Sequence, residues 1–247
     1  MAQRVRTAAV LACVLFAASA SADGYPTAFI NRPLTLDPST PQLFGAAELA
    51  RDFPASTNAE ALELGLDYGV AHDLQVGAIV DVAVSPSTQF GRGLATGQYQ
   101  LLEFAALRVD LGAQRVDNGD LYAAFGVGLP VKLKLTDKVA FVSGRPYAWG
   151  AEDDILFVRT DASSSVTDVH IPGGLLFQLD PHVAIAARSG FRAEGSAYYV
   201  PLGADAILTA GPLDIGVTVD LAGQIAPSNG SGYTDLLTVR GFVQLRL

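Results

Sequence analysis

The sequence is short of charged residues, of cysteine and of long apolar runs. Only 17% of its 247 residues are charged, and the mean hydropathy is +0.31. Because a typical globular protein has about 25% charged residues, this composition excludes a mainly disordered chain. A membrane helix needs about 20 consecutive apolar residues, and beyond residue 22 Gly or polar residues interrupt every apolar stretch. Helical membrane proteins are therefore excluded, and the remaining structure able to span a bilayer is a closed β-barrel.

Residues 1–22 have the pattern of a secretory signal peptide. Arg4 and Arg6 precede the apolar stretch Thr7–Ala18, and small residues lead to a cleavage site after Ala22. The alternatives are an uncleaved membrane anchor, for which the apolar stretch is short, and a lipoprotein signal at Cys13, past which the stretch continues. Since Cys13 is the single cysteine, the exported chain has no disulfide, no thiol chemistry and no Cys-ligated metal.

From residue 43 onward the dominant pattern is an alternation of apolar residues with small or polar ones. In Leu121–Leu135 every second residue is large and apolar or Ala, and the residues between are mostly Gly, Ala or, at Lys132 and Lys134, charged. Successive residues of a strand point to opposite faces, so such strands have one apolar face and one small or polar face. Residues 23–42 contain Pro26, Pro33, Pro38 and Pro41 and show no period, which predicts a periplasmic lead-in.

The connections alternate between short turns and longer polar loops, which is typical of a transmembrane barrel with periplasmic turns and outer loops. The sequence predicts an all-β, antiparallel, up-and-down transmembrane β-barrel over residues 43–247, with both termini on the turn side. A soluble barrel or sandwich is the alternative, but its outer face needs many Lys, Glu and Ser residues. Aromatic residues near the predicted strand ends favour the membrane barrel. About twelve strands are predicted, at 43–51, 60–70, 74–84, 92–101, 104–114, 121–135, 138–148, 166–179, 182–192, 198–210, 213–225 and 234–247.

The last strand resembles the C-terminal assembly signal of Gram-negative outer-membrane β-barrel proteins, because alternating apolar residues run to the chain end. Such barrels usually end in Phe, whereas this chain ends in Leu247. The segments Arg32–Leu36 and Gly65–Leu74 are similar to a group of outer-membrane proteins of myxobacterial type. The resemblance implies an outer-membrane location and, as partners, outer-membrane lipid, lipopolysaccharide and the barrel-assembly machinery during biogenesis. It implies no substrate and no functional residues.

Charged residues of both signs occur on the face predicted to line the lumen. We predict that they line a narrow passive pore for small hydrophilic solutes, with acids and bases on different strands creating a field across the lumen. The alternative is a barrel filled by internal ion pairs, since about eight strands are filled by side chains and about sixteen leave a channel. The predicted lumen charges are Glu63, Asp67, Asp81, Arg108, Asp110, Lys132, Lys134, Arg188, Arg192, Asp205, Asp214, Asp220, Arg240 and Arg246.

Two further functions are weaker alternatives. One is a plugged structural or adhesion barrel whose outer loops, above all 150–165, bind partners. The other is a lipid-modifying enzyme, suggested by His170 near Ser163–Ser165. We predict no enzymatic activity, because the chain has no nucleophile elbow, no His-Glu-x-x-His motif and no phosphate loop. We also predict no cofactor and no metal, since Glu152–Asp154 and Asp117–Asp120 fit a solvated loop and a turn better than a calcium site.

The charge balance excludes one class of partner. Acidic residues outnumber basic ones by 25 to 16. Because phosphate binding needs clustered Lys and Arg, we expect no nucleic-acid partner.

Overall fold

The computed structural model describes residues 25–52, 56–115, 120–143, 155–161, 167–194, 197–222 and 236–247. The predicted signal peptide, the Glu152–Asp154 group and Ser163–Ser165 lie outside these residues. Among the described residues, no helix has the length and hydropathy to cross a bilayer. A short 3-10 turn at Phe29–Asn31 precedes the strands, which are β1 (Pro41–Asp52), β2 (Thr57–Ala71), β3 (Leu74–Ser85), β4 (Gln89–Leu102), β5 (Ala105–Arg115), β6 (Leu121–Leu129), β7 (Lys132–Lys134), β8 (Val139–Val142), β9 (Ile155–Asp161), β10 (Thr167–Gln178), β11 (Val183–Glu194), β12 (Ala197–Tyr199), β13 (Leu202–Ala210), β14 (Leu213–Ala222) and β15 (Leu236–Arg246).

The strands pair into a closed antiparallel ring. From β1 to β6, each strand pairs with the next along the chain. The ring continues from β6 through β9, β10, β11, β13 and β14 to β15. The last strand, β15, then pairs with the first strand, β1, and this pairing closes the ring. In the part of the chain that the structure describes, this pairing closes the sheet on itself, as a sheet in a bilayer requires.

Three positions in the ring are each built from two strand segments. Pro130 separates β6 from β7, residues 143–154 separate β8 from β9, and Pro201 separates β12 from β13. Proline has no N–H to donate to a neighbouring strand, so it interrupts the hydrogen-bonded ladder. With each pair of segments counted once, the described residues form a twelve-stranded wall, which confirms the predicted fold class.

The alternation of the sequence becomes an apolar outside and a polar inside. On β2, Leu62, Leu64 and Leu66 are 47%, 66% and 46% exposed, whereas Glu63, which lies between two of them, is buried. The same contrast holds on β14, where Ile215 and Val217 are exposed and Asp214 and Thr218 are fully buried. Exposed leucine and valine in continuous bands around the ring are stabilised by lipid and not by water.

The two ends of the barrel differ. Short connections such as Ala71–Leu74 and Ala210–Leu213 lie at one end, together with the start of β1 and the end of β15. We call this the turn end. The opposite end, which we call the loop end, carries the other ends of the strands, such as the end of β1 at Asp52 and the start of β2 at Thr57.

Residues 25–40, here called the N-terminal segment, lie inside the turn end of the barrel. Phe29 and Ile30 are 5% and 3% exposed and belong to a buried apolar cluster that includes Leu176 and Ile207 of the inner wall. The sequence interpretation of residues 23–42 as a lead-in did not foresee this, because a segment without strand periodicity gives no indication of the surface it contacts. Pro41 and Gln42, the last two residues of the predicted lead-in, are already part of β1.

Candidate functional site

The charged residues predicted to line the lumen all lie on the inner face of the wall. Most are buried or half-buried, and Lys134 is exposed at the rim of the turn end. The alternation of each strand places them there, since most of their neighbours along the strand are apolar and lie on the opposite face. Their role in lining a pore stays a prediction.

Many of the inner charges form ion pairs, either within one strand or between strands one or two positions apart in the ring. Arg188 on β11 donates from Nε to Asp205 Oδ2 at 2.6 Å and from Nη2 to Asp220 Oδ1 at 2.6 Å. Thr218 completes the group by donating its hydroxyl to Asp205 Oδ1 at 2.8 Å. One guanidinium thus bridges two carboxylates on β13 and β14, an arrangement that suits the planar fork of arginine.

A second group lies across the closure of the ring. Arg240 on β15 pairs with Glu63 on β2, and Arg92 on β4 reaches the same carboxylate at 3.2 Å. Arg92 also pairs with Asp81 on β3. Arg108 and Asp110, two residues apart on β5, are joined at 3.1 Å. Acids and bases on different strands therefore lie within bonding distance of one another, and a field across the lumen stays a prediction.

A third group, at the turn end, involves the N-terminal segment. Asp214 is fully buried and accepts bonds from Arg32 at 2.6 and 2.9 Å, from Arg246 at 2.6 Å and from Thr209 at 2.7 Å. The Tyr25 ring lies against the guanidinium of Arg246, 4.8 Å from its centroid. Burial raises the pKa of the Tyr25 hydroxyl, an effect that the charges of Arg32 and Arg246 oppose.

Access of water to the inner charges decreases from the loop end to the turn end. Toward the loop end the side chains of Asp81, Asp220 and Arg92 are 21%, 16% and 15% exposed. At the turn end those of Arg246 and Asp214 are 1% and 0% exposed. Among the described residues, these inner charges are therefore partly exposed toward the loop end and buried at the turn end.

Sequence reasoning missed several polar side chains of the interior. Arg92 lies on the face of its strand that points into the lumen. Counting every second residue along the strands could likewise have identified the buried residues Gln42, Gln98, Gln178, Thr218 and Gln244. Arg32 had no such signal, because it lies outside any strand. No group of three or more His, Cys, Asp or Glu among the described residues could hold a metal ion.

A glycine makes room for one of the inner carboxylates. A Cβ at Gly77 would lie 1.9 Å from Asp67 Oδ1 and 2.7 Å from the backbone oxygen of Leu66. We expect Gly77→Ala to lower the free energy of unfolding by about 1–3 kcal/mol, because the backbone oxygen cannot move aside without distorting β2. The matched control is Gly97→Ala on β4, where nothing lies within 4 Å of the added carbon. Urea unfolding of both variants in vesicles measures the difference, and equal values would contradict this packing.

Comparison with known proteins identifies the fold. No protein-family model matches the chain, and no curated protein matches it in sequence. Among solved structures, the chain is similar to the KdgM porin in complex with disordered oligogalacturonate, with 11% identity, 83% of this chain and 98% of that chain covered, and a TM-score of 0.55. It is equally similar to the NanC porin, with 11% identity, 83% and 100% coverage, and a TM-score of 0.55. The chain therefore has the β-barrel fold of outer-membrane porins.

Proposed function

We propose that the protein is an outer-membrane barrel that acts as a passive pore for small hydrophilic solutes. The observation that carries the proposal is a closed twelve-stranded wall with an apolar outside and a charged, partly exposed inside. An apolar outer band needs lipid, so outer-membrane lipid and lipopolysaccharide are its proposed surroundings, with the barrel-assembly machinery acting during biogenesis. Inner charges near the loop end can exchange bonds with a passing solute because their side chains are partly exposed.

The paired arrangement of the charges supports weak ion selectivity. A ring of one sign attracts counter-ions along the whole lumen, whereas Arg188 beside Asp205 and Asp220 presents both signs within a few bond lengths. Such local dipoles hydrogen-bond neutral and zwitterionic solutes without favouring a net charge. We therefore propose small polar solutes, and not ions of one sign, as the cargo.

We propose no enzymatic activity for this barrel. His170 is opposite Arg192 on β11 and Phe157 on β9, and its alternation places it on the inner face. A lipid-modifying site needs a nucleophile and a base that reach lipid at the outer wall, so the lumen is the wrong side for His170. Ser163–Ser165, the proposed nucleophiles, lie outside the described residues. Phospholipid turnover that is lost in His170→Ala would contradict this proposal.

Conductance across planar bilayers tests the pore. We expect the purified protein to give stepwise openings whose reversal potential in a salt gradient is close to zero. Replacing Arg188 by Gln removes one positive charge from the lumen beside Asp205 and Asp220, so the reversal potential shifts toward cation selectivity. The control is Lys138→Gln, which removes the same charge from an exposed turn outside the lumen. A folded barrel that stays silent, with and without residues 25–36, would reject the pore.

A further inference from the structure

The N-terminal segment contacts the inner wall on nearly every side of the turn end. Side chains from β3, β4, β7, β10, β13 and β14 all hydrogen-bond it. For example, Ile30 N donates to Gln178 Oε1 at 3.0 Å, Leu36 N donates to Gln75 Oε1 at 3.0 Å, and Lys134 Nζ donates to the Asn31 side chain at 3.2 Å. Because these strands lie on opposite sides of the ring, the segment crosses the lumen and does not follow one wall.

Arg32 is the main anchor of the segment. Its guanidinium is 4% exposed, binds both carboxylate oxygens of Asp214 and donates to Thr209 Oγ1 at 3.0 Å. The same group lies 4.5 Å from the centroid of the Phe29 ring. Each partner of Arg32 on the wall is a side chain, so the anchor can separate from the barrel without breaking a strand ladder.

A turn connects the segment to the wall. The chain reverses at Asp37–Thr40, where Ser39 has a φ of 64° and Thr40 N donates to Asp37 O at 3.1 Å. Backbone bonds to Gly69 hold this turn, with Ser39 N donating to Gly69 O at 2.8 Å and Gly69 N to Thr40 O at 3.0 Å. A Cβ at Gly69 would lie 2.0 Å from Asp37 O, so only glycine lets the turn sit this close to β2. The turn is a fixed pivot from which the rest of the segment enters the lumen.

We propose that the N-terminal segment is a plug that closes the turn end of the lumen, held in place by Arg32 on Asp214, and that solute passage requires its displacement. The inference rests on the proposed pore. It explains why inner charges are partly exposed toward the loop end and fully buried at the turn end. Removal of the segment uncovers the polar wall residues that bind it, which leaves a hydrated path in place of the plug.

A reversible tether tests the position of the plug and its effect together. Thr35 Oγ1 lies 3.1 Å from Gln100 Oε1, so the double variant Thr35→Cys/Gln100→Cys accepts a short, cleavable bifunctional thiol linker. All variants carry Cys13→Ser to remove the single native cysteine. The control is Tyr68→Cys/Val76→Cys, a cross-strand pair on the outer face. We expect the linker to suppress conductance in the first variant, cleavage to restore it, and the control to conduct throughout.

Two variants that release the plug complete the experiment. Arg32→Glu places a carboxylate against Asp214 in the full-length chain, and a second variant lacks residues 25–36. We expect both to raise the mean conductance severalfold over the parent. If the tethered protein, the parent protein and the shortened protein all have the same conductance, the plug is rejected and the pore stands. A folded shortened barrel that stays silent rejects the pore and the plug together, and failure of Thr35→Cys/Gln100→Cys to link rejects the placement of the segment. If the released variants misfold, the tether decides alone.

Discussion

Asp214→Asn is expected to lower the free energy of unfolding by about 3–5 kcal/mol, because it leaves buried arginines without their counter-charge. Asp214 is fully buried and binds Arg32 and Arg246, which are 4% and 1% exposed. Asparagine keeps the size of the side chain and removes the negative charge. Urea unfolding in vesicles, followed by tryptophan fluorescence or gel mobility, measures the loss.

The matched control for this prediction is Asp137→Asn. The Asp137 side chain is 97% exposed and its pair with Lys134 spans 3.0 Å. Exposed ion pairs contribute about 0–1 kcal/mol, so we expect little change. In the Asp214→Asn background, a further Arg32→Gln substitution should lower the free energy of unfolding much less than Arg32→Gln does alone, because it then removes an uncompensated charge. Additive losses would show that the two side chains do not act as a pair.

Leu64→Arg is expected to lower the free energy of unfolding by about 2–4 kcal/mol, the cost of an arginine on the lipid face at the middle of a bilayer. Leu64 is the central residue of β2 and, at 66%, the most exposed of the large apolar residues. It lies between Glu63 and Gly65 of the inner face, so the substitution leaves the lumen unchanged. Folding into vesicles across a urea series measures the effect.

Val70→Arg is the control for depth in the membrane. Val70 is 48% exposed on the same face of β2, one residue from its turn end. Near the interface between the bilayer and water, an arginine on the lipid face lowers the free energy of unfolding by only about 0–1 kcal/mol. A barrel surrounded by water would tolerate both arginines equally, so equal effects at the two depths would reject the assignment of the outer face to lipid.

The ion pairs show how far the sequence could predict the candidate site. The inner position of Arg188, Asp205 and Asp220 followed from alternation, since a strand has only two faces. Their pairing did not follow, because alternation fixes neither the register between strands nor the direction in which each long side chain extends. Most of the acids and bases lie on different strands, as predicted, and the register of the closed ring brings some of them into contact, as with Arg240 on β15 and Glu63 on β2, on either side of β1.

The position of the N-terminal segment is a second feature that the sequence could not predict. Arg32 and Phe29 have no periodic neighbours, so their contacts depend on a cavity that exists only after the ring has closed. No local property of residues 25–40 specifies that cavity. Its polar and apolar partners come from wall strands that are up to 182 residues away from the segment, as in the pair of Arg32 and Asp214.

By itself, the sequence determined the class of fold, the number of strands and the face on which the predicted lumen charges lie, because these depend on a two-residue period and on turns that are local in the chain. It did not locate β9, which lies in the predicted outer loop 150–165. Only the tertiary structure decided which charges neutralise one another and that the N-terminal segment fills the turn end. Both depend on closure of the sheet, which brings side chains together across the lumen irrespective of their distance in the chain.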